Sequence, residues 1–107
     1  MIISGGMNIY PAEVEAALEA HPAVLEAAVF GIPDELWGER VHAAIALRPA
    51  QSLDAEELMA FARGHLASYK VPRSVSFLPE LPHTGSGKVL KRQLREPYWE
   101  GRRTRVS

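Results

Sequence analysis

Residues 41–47 form a run, Val41-His42-Ala43-Ala44-Ile45-Ala46-Leu47, in which only His42 is polar. A strand with one wet face alternates in polarity, so this near-continuous apolar run predicts a strand covered on both faces, in the middle of a sheet. Covering both faces takes elements from either side. Pro11 suits a first helical position, Glu13 and Glu15 suit the positive end of the helix dipole, and Val14, Ala17 and Leu18 make one apolar stripe. Pro22 predicts that this helix stops near His21. Residues 24–30 read as a strand ended by the turn Gly31-Ile32-Pro33-Asp34. Asp54 as N-cap with Glu57 three residues on predicts a second helix, with Leu53 and Leu58 in the staple positions and Leu58, Phe61, Ala62 and Leu66 on its buried face. A last strand over 74–78 places Val75 and Phe77 inward and its serines outward. A loop over 79–87 follows, then a short basic helix with Leu90 and Leu94 one turn apart, closed by Pro97.

The expected fold class is therefore α+β: a small three-stranded central sheet with helices packed against it, a short N-terminal strand over 1–4 and a glycine-rich lysine loop. With 107 residues the chain forms one domain over 1–107, since domains hold about 100 to 150 residues; residues 98–107 show no period and read as an irregular tail. The longest apolar stretch without glycine is five residues, Ala43–Leu47, against the ~20 of a spanning helix, so no transmembrane segment is expected. The absence of cysteine and of a secretory pattern at the start points to a cytoplasmic setting. A net charge of −1 conceals an uneven distribution. Residues 1–62 carry ten acids against Arg40 and Arg48, for −8, while residues 63–107 carry ten bases against Glu80, Glu96 and Glu100, for +7. The C-terminal half is the one that attracts phosphate, carboxylate or an acidic surface.

Two glycine loops, Ser4-Gly5-Gly6 and Thr84-Gly85-Ser86-Gly87-Lys88, have no packing explanation. The second approaches the P-loop pattern but fails it twice, with Pro82 where the first glycine belongs and Val89 where the magnesium-holding hydroxyl belongs. What remains is a lysine on a supple loop, able to deliver a positive charge to another site, or else a solvated lysine beside a turn. The four histidines lie at least 18 residues apart, which no zinc site uses, and no nucleophile elbow is present. Trp37 and Tyr69 can each cover the core or stack on a ligand. The bases Lys88, Lys91, Arg92 and Arg95, with Arg102, Arg103 and Arg105 in the tail, are not accompanied by a nucleic-acid module, so they read as a solvated face or an acidic partner's dock, with no nucleic-acid partner.

Taken together and in order, the motifs Met1-Ile2-Ile3-Ser4-Gly5-Gly6-Met7-Asn8-Ile9-Tyr10-Pro11-Ala12-Glu13-Val14-Glu15, Pro33-Asp34 to Gly38-Glu39, Tyr69-Lys70-Val71-Pro72 and Pro82-His83-Thr84-Gly85-Ser86-Gly87-Lys88 closely resemble the C-terminal domain of the adenylate-forming acyl-CoA synthetases. The resemblance reaches to about Leu94 and lies nearer to ligases of fatty acids and related carboxylates than to peptide-synthetase adenylation domains. It implies a mobile lid over a larger N-terminal domain that binds ATP and the acid, moving between two orientations. Lys88 is then the catalytic residue of the first step, bridging the carboxylate and the α-phosphate as acyl-adenylate forms and pyrophosphate leaves. A fixed cation suits charge that accumulates on phosphoryl oxygens. At ~4 Å and an effective dielectric near 20 the attraction is about 4 kcal/mol, or roughly three decades of rate.

For the second step the resemblance implies that the loop Ser4, Gly5, Gly6 and Met7 lies beside the adenylate, where a narrow thiol-bearing arm passes close to backbone. The CoA nucleotide then lies against Trp37 and Tyr69, with Lys70 available to a phosphate. The implied partners are the N-terminal adenylate-binding domain of the same enzyme, CoA and acyl-adenylate. No cofactor is bound by this domain alone; ATP, Mg and CoA serve the full enzyme. The chain by itself is expected to lack activity. The resemblance also implies acetylation of Lys88, which would neutralise the ammonium. The alternative function is a stand-alone CoA- or protein-binding module.

Overall fold

The computed structural model describes residues 1–106, with side chains through Glu100. Its elements are β1 (Ile2–Ser4), β2 (Met7–Ile9), α1 (Pro11–Glu19), β3 (Val24–Asp34), β4 (Gly38–Leu47), α2 (Ala55–Arg63), a single 3₁₀ turn (Ser68–Lys70), β5 (Ser74–Leu78) and α3 (Lys91–Val106). The strands form one sheet in the order β2-β1-β4-β3, with β5 parallel to β4. The architecture is α+β, as expected, but the sheet has five strands rather than three principal ones and a short addition.

Strand β4 is the middle of this sheet. It pairs antiparallel with β3 from Gly38 to Leu47, in parallel with β5 from His42 to Ala46, and with β1 at Gly38 opposite Ser4. Its alternating side chains feed two cores. Val41, Ala43 and Ile45 are buried with Val14 and Leu18 of α1 and Leu58 and Ala62 of α2. Ala44 and Ala46 are buried on the other face with Phe30 and Leu81, against Leu94 of α3. The capping box forms as read: Asp54 Oδ1 accepts from the Glu57 N–H at 2.8 Å and Glu57 Oε1 from the Asp54 N–H at 3.1 Å.

Four local readings are corrected. Strand β3 does not end at a Gly31–Asp34 turn but continues through Pro33, paired with Glu39, to Asp34, paired with Gly38. As an edge strand it tolerates a residue without an N–H. The reversal falls instead at Glu35-Leu36-Trp37, where Asp34 Oδ1 accepts from the Leu36 and Trp37 N–H groups at 2.8 and 2.9 Å. The Trp37 N–H first, with the Leu36 N–H and the Arg40 and Arg73 guanidinium groups adding, holds the Asp34 carboxyl below its ordinary value against an opposing effect of burial.

In β5, Val75 packs on the first core, but Phe77 is 37% exposed and the serines point to the second layer, where His42 needs partners. Met7–Ile9, where the sequence pattern predicts no element, is a strand: Gly5 and Gly6 take positive φ of 57° and 81°, which a two-residue hairpin loop requires. Pro97 does not close the last helix, and the segment from residue 98 is helical to Val106 rather than irregular. An interior proline costs about 3 kcal/mol. Tertiary anchors offset it: Trp99 Nε1 donates to the Gly31 carbonyl at 2.8 Å, and the Tyr98 ring lies 5.0 Å from His42 and 6.2 Å from Phe30.

His42 is the polar exception in β4, 4% exposed, and its ring is satisfied on both nitrogens. Nδ1 lies 2.7 Å from Ser74 Oγ and Nε2 lies 3.0 Å from Ser76 Oγ, with Tyr98 Oη at 3.4 Å. Burial, with Arg40 adding, lowers its pKa from 6.5 to about 4. Above pH 6.5 both folded and unfolded chains hold it neutral; between 6.5 and about 4 only the unfolded chain takes the proton, so stability falls across that window. Urea unfolding from pH 7 to pH 4 should therefore show a loss of about 3 kcal/mol in the native chain beyond that in His42→Gln. Parallel curves for the two proteins would remove His42 as the source.

Candidate functional site

The first glycine loop is the turn of the β1–β2 hairpin, with Ser4 opposite Met7 and Ser4 also opposite Gly38 of β4. This pairing sets the hairpin against the β3–β4 turn. The Gly5 N–H donates to the Trp37 carbonyl at 2.9 Å. A Cβ built on Gly5 would meet Trp37 Cε3 at 2.5 Å, while one on Gly6 would meet nothing within 4 Å. The two glycines are thus required for different reasons, a close approach at the first and a left-handed backbone at both.

Trp37 is 39% exposed, with Gly5 on its ring edge and the Arg73 guanidinium 4.6 Å from its ring centroid. Arg73 escaped the sequence reading because nothing in its spacing relates it to Trp37; the parallel β4–β5 ladder, with Arg73 N–H donating to the Val41 carbonyl at 2.9 Å, brings them together. Arg73 also lines an open groove of about 310 Å³ with Arg63, Ser68 and Pro72. Tyr69 and Lys70 lie on the 3₁₀ turn, four and three residues before Arg73. Lys70 is engaged: its Nζ donates to both Glu13 carboxylate oxygens on α1, at 2.8 and 3.0 Å, and stands 5.6 Å from the Tyr69 ring centroid. The Glu13 hydrogen bond is the main cause that raises the Lys70 pKa. A phosphate at Lys70 must compete with that carboxylate.

The lysine loop stands at the other edge of the sheet. His83 and Val89 form an isolated bridge, the Leu90 N–H donates to the Pro82 carbonyl at 2.8 Å, and the Thr84 N–H donates to the Lys88 carbonyl at 2.7 Å. Within it the Gly87 N–H donates to the Thr84 carbonyl at 3.0 Å, the Lys88 N–H donates to Thr84 Oγ1 at 3.1 Å, and Thr84 Oγ1 meets Ser86 Oγ at 2.9 Å. Glycine is used at Gly87, where φ is 90°. The loop is therefore a closed ring of hydrogen bonds rather than a supple arm, and Lys88 extends from it, exposed, beside a groove shared with Glu15, Glu19 and Lys91.

The two glycine loops do not meet. The hairpin belongs to the β2-β1 edge of the sheet and the lysine loop docks on β3, with β4 between them. Along β3 the lysine loop contacts Glu26, whereas the hairpin lies near the Asp34 end, eight residues away, or about 26 Å at strand rise. The chain thus carries two different glycine turns at different places on the sheet.

Comparison with known proteins bears on this arrangement. Residues 13–88 match the model of the AMP-binding enzyme C-terminal domain. The chain belongs to that family. It is 51% identical over 98 residues to a feruloyl-CoA synthase of Amycolatopsis sp, covering 92% of this chain and 20% of that protein. It is 51% identical over 100 residues to a long-chain-fatty-acid–CoA ligase of Bacillus subtilis, covering 94% of this chain and 18% of that one. The solved fatty acyl CoA synthetase of Mycobacterium tuberculosis superposes with a TM-score of 0.86 at 40% identity, covering 94% of this chain and 20% of that chain. The chain spans about one fifth of the length of these relatives. Among the described residues no helix is long and apolar enough to cross a membrane.

The hairpin geometry gives a direct test. Gly6→Ala should destabilise the domain by about 1 kcal/mol through backbone strain alone. Gly5→Ala adds the collision with Trp37 and should lose a further 1 to 3 kcal/mol or so in urea unfolding. Equal losses at the two positions would mean that the ring does not dictate the first glycine.

Proposed function

We propose that this chain is the mobile C-terminal domain of an ATP-dependent acyl-CoA ligase acting on a fatty acid or related carboxylate. In the first half-reaction the acid's carboxylate oxygen attacks the α-phosphorus of ATP, forming acyl-adenylate and releasing pyrophosphate. Lys88 supplies a cation to the oxygens on which charge grows. In the second half-reaction the thiol of CoA, losing its proton, attacks the acyl carbon and AMP leaves. The Ser4–Met7 turn then borders the path of the thiol arm, and the nucleotide of CoA rests against Trp37 and Tyr69, where Arg73 holds the indole and Lys70 exchanges Glu13 for a phosphate.

The observation that carries this reading is the separation of the two glycine loops. The hairpin loop is fixed at the Gly38 end of β4 and the lysine loop is held on Glu26 of β3, a separation that supports a domain turning between steps to use each in its turn. Membership of a family whose cited relatives are named as CoA synthases and ligases supports the reaction class. Exposed apolar side chains around the hairpin, Met1, Ile3, Met7 and Tyr10, with Leu36 and Trp37 beside it, support a large partner surface, which the N-terminal adenylate-binding domain supplies. On this reading the pocket that selects the acid lies in that partner domain, and the isolated chain is inactive.

In the parent ligase, Lys88→Ala should lower acyl-adenylate formation by at least ~100-fold while sparing thioester formation from supplied acyl-adenylate. Comparable loss in both half-reactions would contradict the role given to the ammonium.

A further inference from the structure

Lys88 is bracketed by two side-chain pairs with carboxylates that the adenylation reading does not use. Five residues before it, His83 Nε2 lies 2.7 Å from Glu26 Oε2 on β3. Three residues after it, Lys91 Nζ lies 2.6 Å from Glu15 Oε2 on α1. The partners are not random surface acids. β3 is an edge strand, and its outward N–H groups lack a neighbouring strand. Glu15 Oε2 accepts from the Val29 N–H at 2.9 Å and Glu19 Oε2 from the Ala27 N–H at 3.1 Å, so α1 carboxylates close that edge. The lysine loop docks on the same sealed edge through Glu26, and Lys91 at the start of α3, which follows the loop, docks there through the same Glu15.

We propose that the His83–Glu26 and Lys91–Glu15 pairs clamp the lysine loop to the β3 edge, making His83 and Glu15 positioning residues for Lys88. The inference rests on the reading of Lys88 as the adenylation lysine. Gly85 and Gly87 alone would let the loop swing; the ring of backbone hydrogen bonds fixes its shape, and the two pairs fix where that shape sits on the domain. The ammonium then has one address in the frame of the sheet. It is brought to the reacting phosphate by motion of the whole domain, and little of its force is lost to loop disorder.

Solvent-accessible side-chain pairs of this kind are individually weak, so each should hold the loop by about a factor of five at most. In limited trypsin digestion of the 107-residue chain, cleavage after Lys88 should rise about tenfold in the double variant His83→Leu/Glu15→Gln, relative to cleavage after Arg63 in the same digest. The amide that Glu15→Gln introduces keeps an oxygen for the Val29 N–H, and the Arg63 reference separates loop release from general unfolding. In the full-length ligase, His83→Leu should lower adenylation kcat about fivefold with little change in KM and leave thioester formation from supplied acyl-adenylate intact. His83→Arg restores a nitrogen donor opposite Glu26 and should recover the adenylation rate. Unchanged cleavage after Lys88 in the double variant, or a His83→Arg enzyme as slow as the His83→Leu one, overturns the clamp. If Lys88→Ala spares adenylation while the digestion result holds, the clamp exists and the lysine's catalytic role is what fails.

Discussion

Hydrogen bonding along both edges of β4, together with burial of both its faces, is the constraint on which the other features depend. One edge carries the long antiparallel ladder to β3, the other carries β1 at Gly38 and the parallel ladder to β5. Because side chains alternate across a strand, the same ten residues feed a core under α1 and α2 and a second core under α3. Small alanines on the second face let α3 and Leu81 approach closely, and His42 is admitted there because Ser74 and Ser76 meet its two ring nitrogens. Without those hydroxyls Nδ1 would be left unsatisfied and Nε2 would keep only the Tyr98 hydroxyl at 3.4 Å.

From that strand the candidate chemistry is distributed outward. The Trp37 turn and the Ser4–Met7 hairpin are fixed together at the start of β4, and Arg73 is laid over the indole by the β5 register. The lysine loop, by contrast, belongs to the far edge of β3, where α1 carboxylates supply acceptors that a further strand would otherwise provide. On the proposed reading, one sheet carries both dissimilar loops and presents first one and then the other. The family relationship and this spacing are independent supports for the same reading.

The places where local pattern and structure part company share a cause. Pro97 forbids its own hydrogen bond, and local rules end the helix there; Trp99 and Tyr98, docked on Gly31, Phe30 and His42, carry it further. Gly31 and Pro33 look like a turn until the edge position of β3 removes the objection to both. Ser74 and Ser76 look like outward residues until the histidine on the neighbouring strand is in view. The glycines around Lys88 suggest looseness, but Thr84 and the Pro82 carbonyl convert the segment into a hydrogen-bonded ring.

Sequence by itself determined the features whose physics is local or periodic: the doubly covered strand, the Pro11 and Asp54 helix starts, the positive-φ glycines and the ordered motifs that mark the family. Tertiary structure alone decided which polar and aromatic side chains meet. Lys70 with Glu13, His83 with Glu26, Lys91 with Glu15 and Arg73 with Trp37 join residues far apart in the chain, and no spacing rule relates them. Their partnerships follow from strand order and register, which arise from how the two cores close around β4 rather than from any segment's own preference.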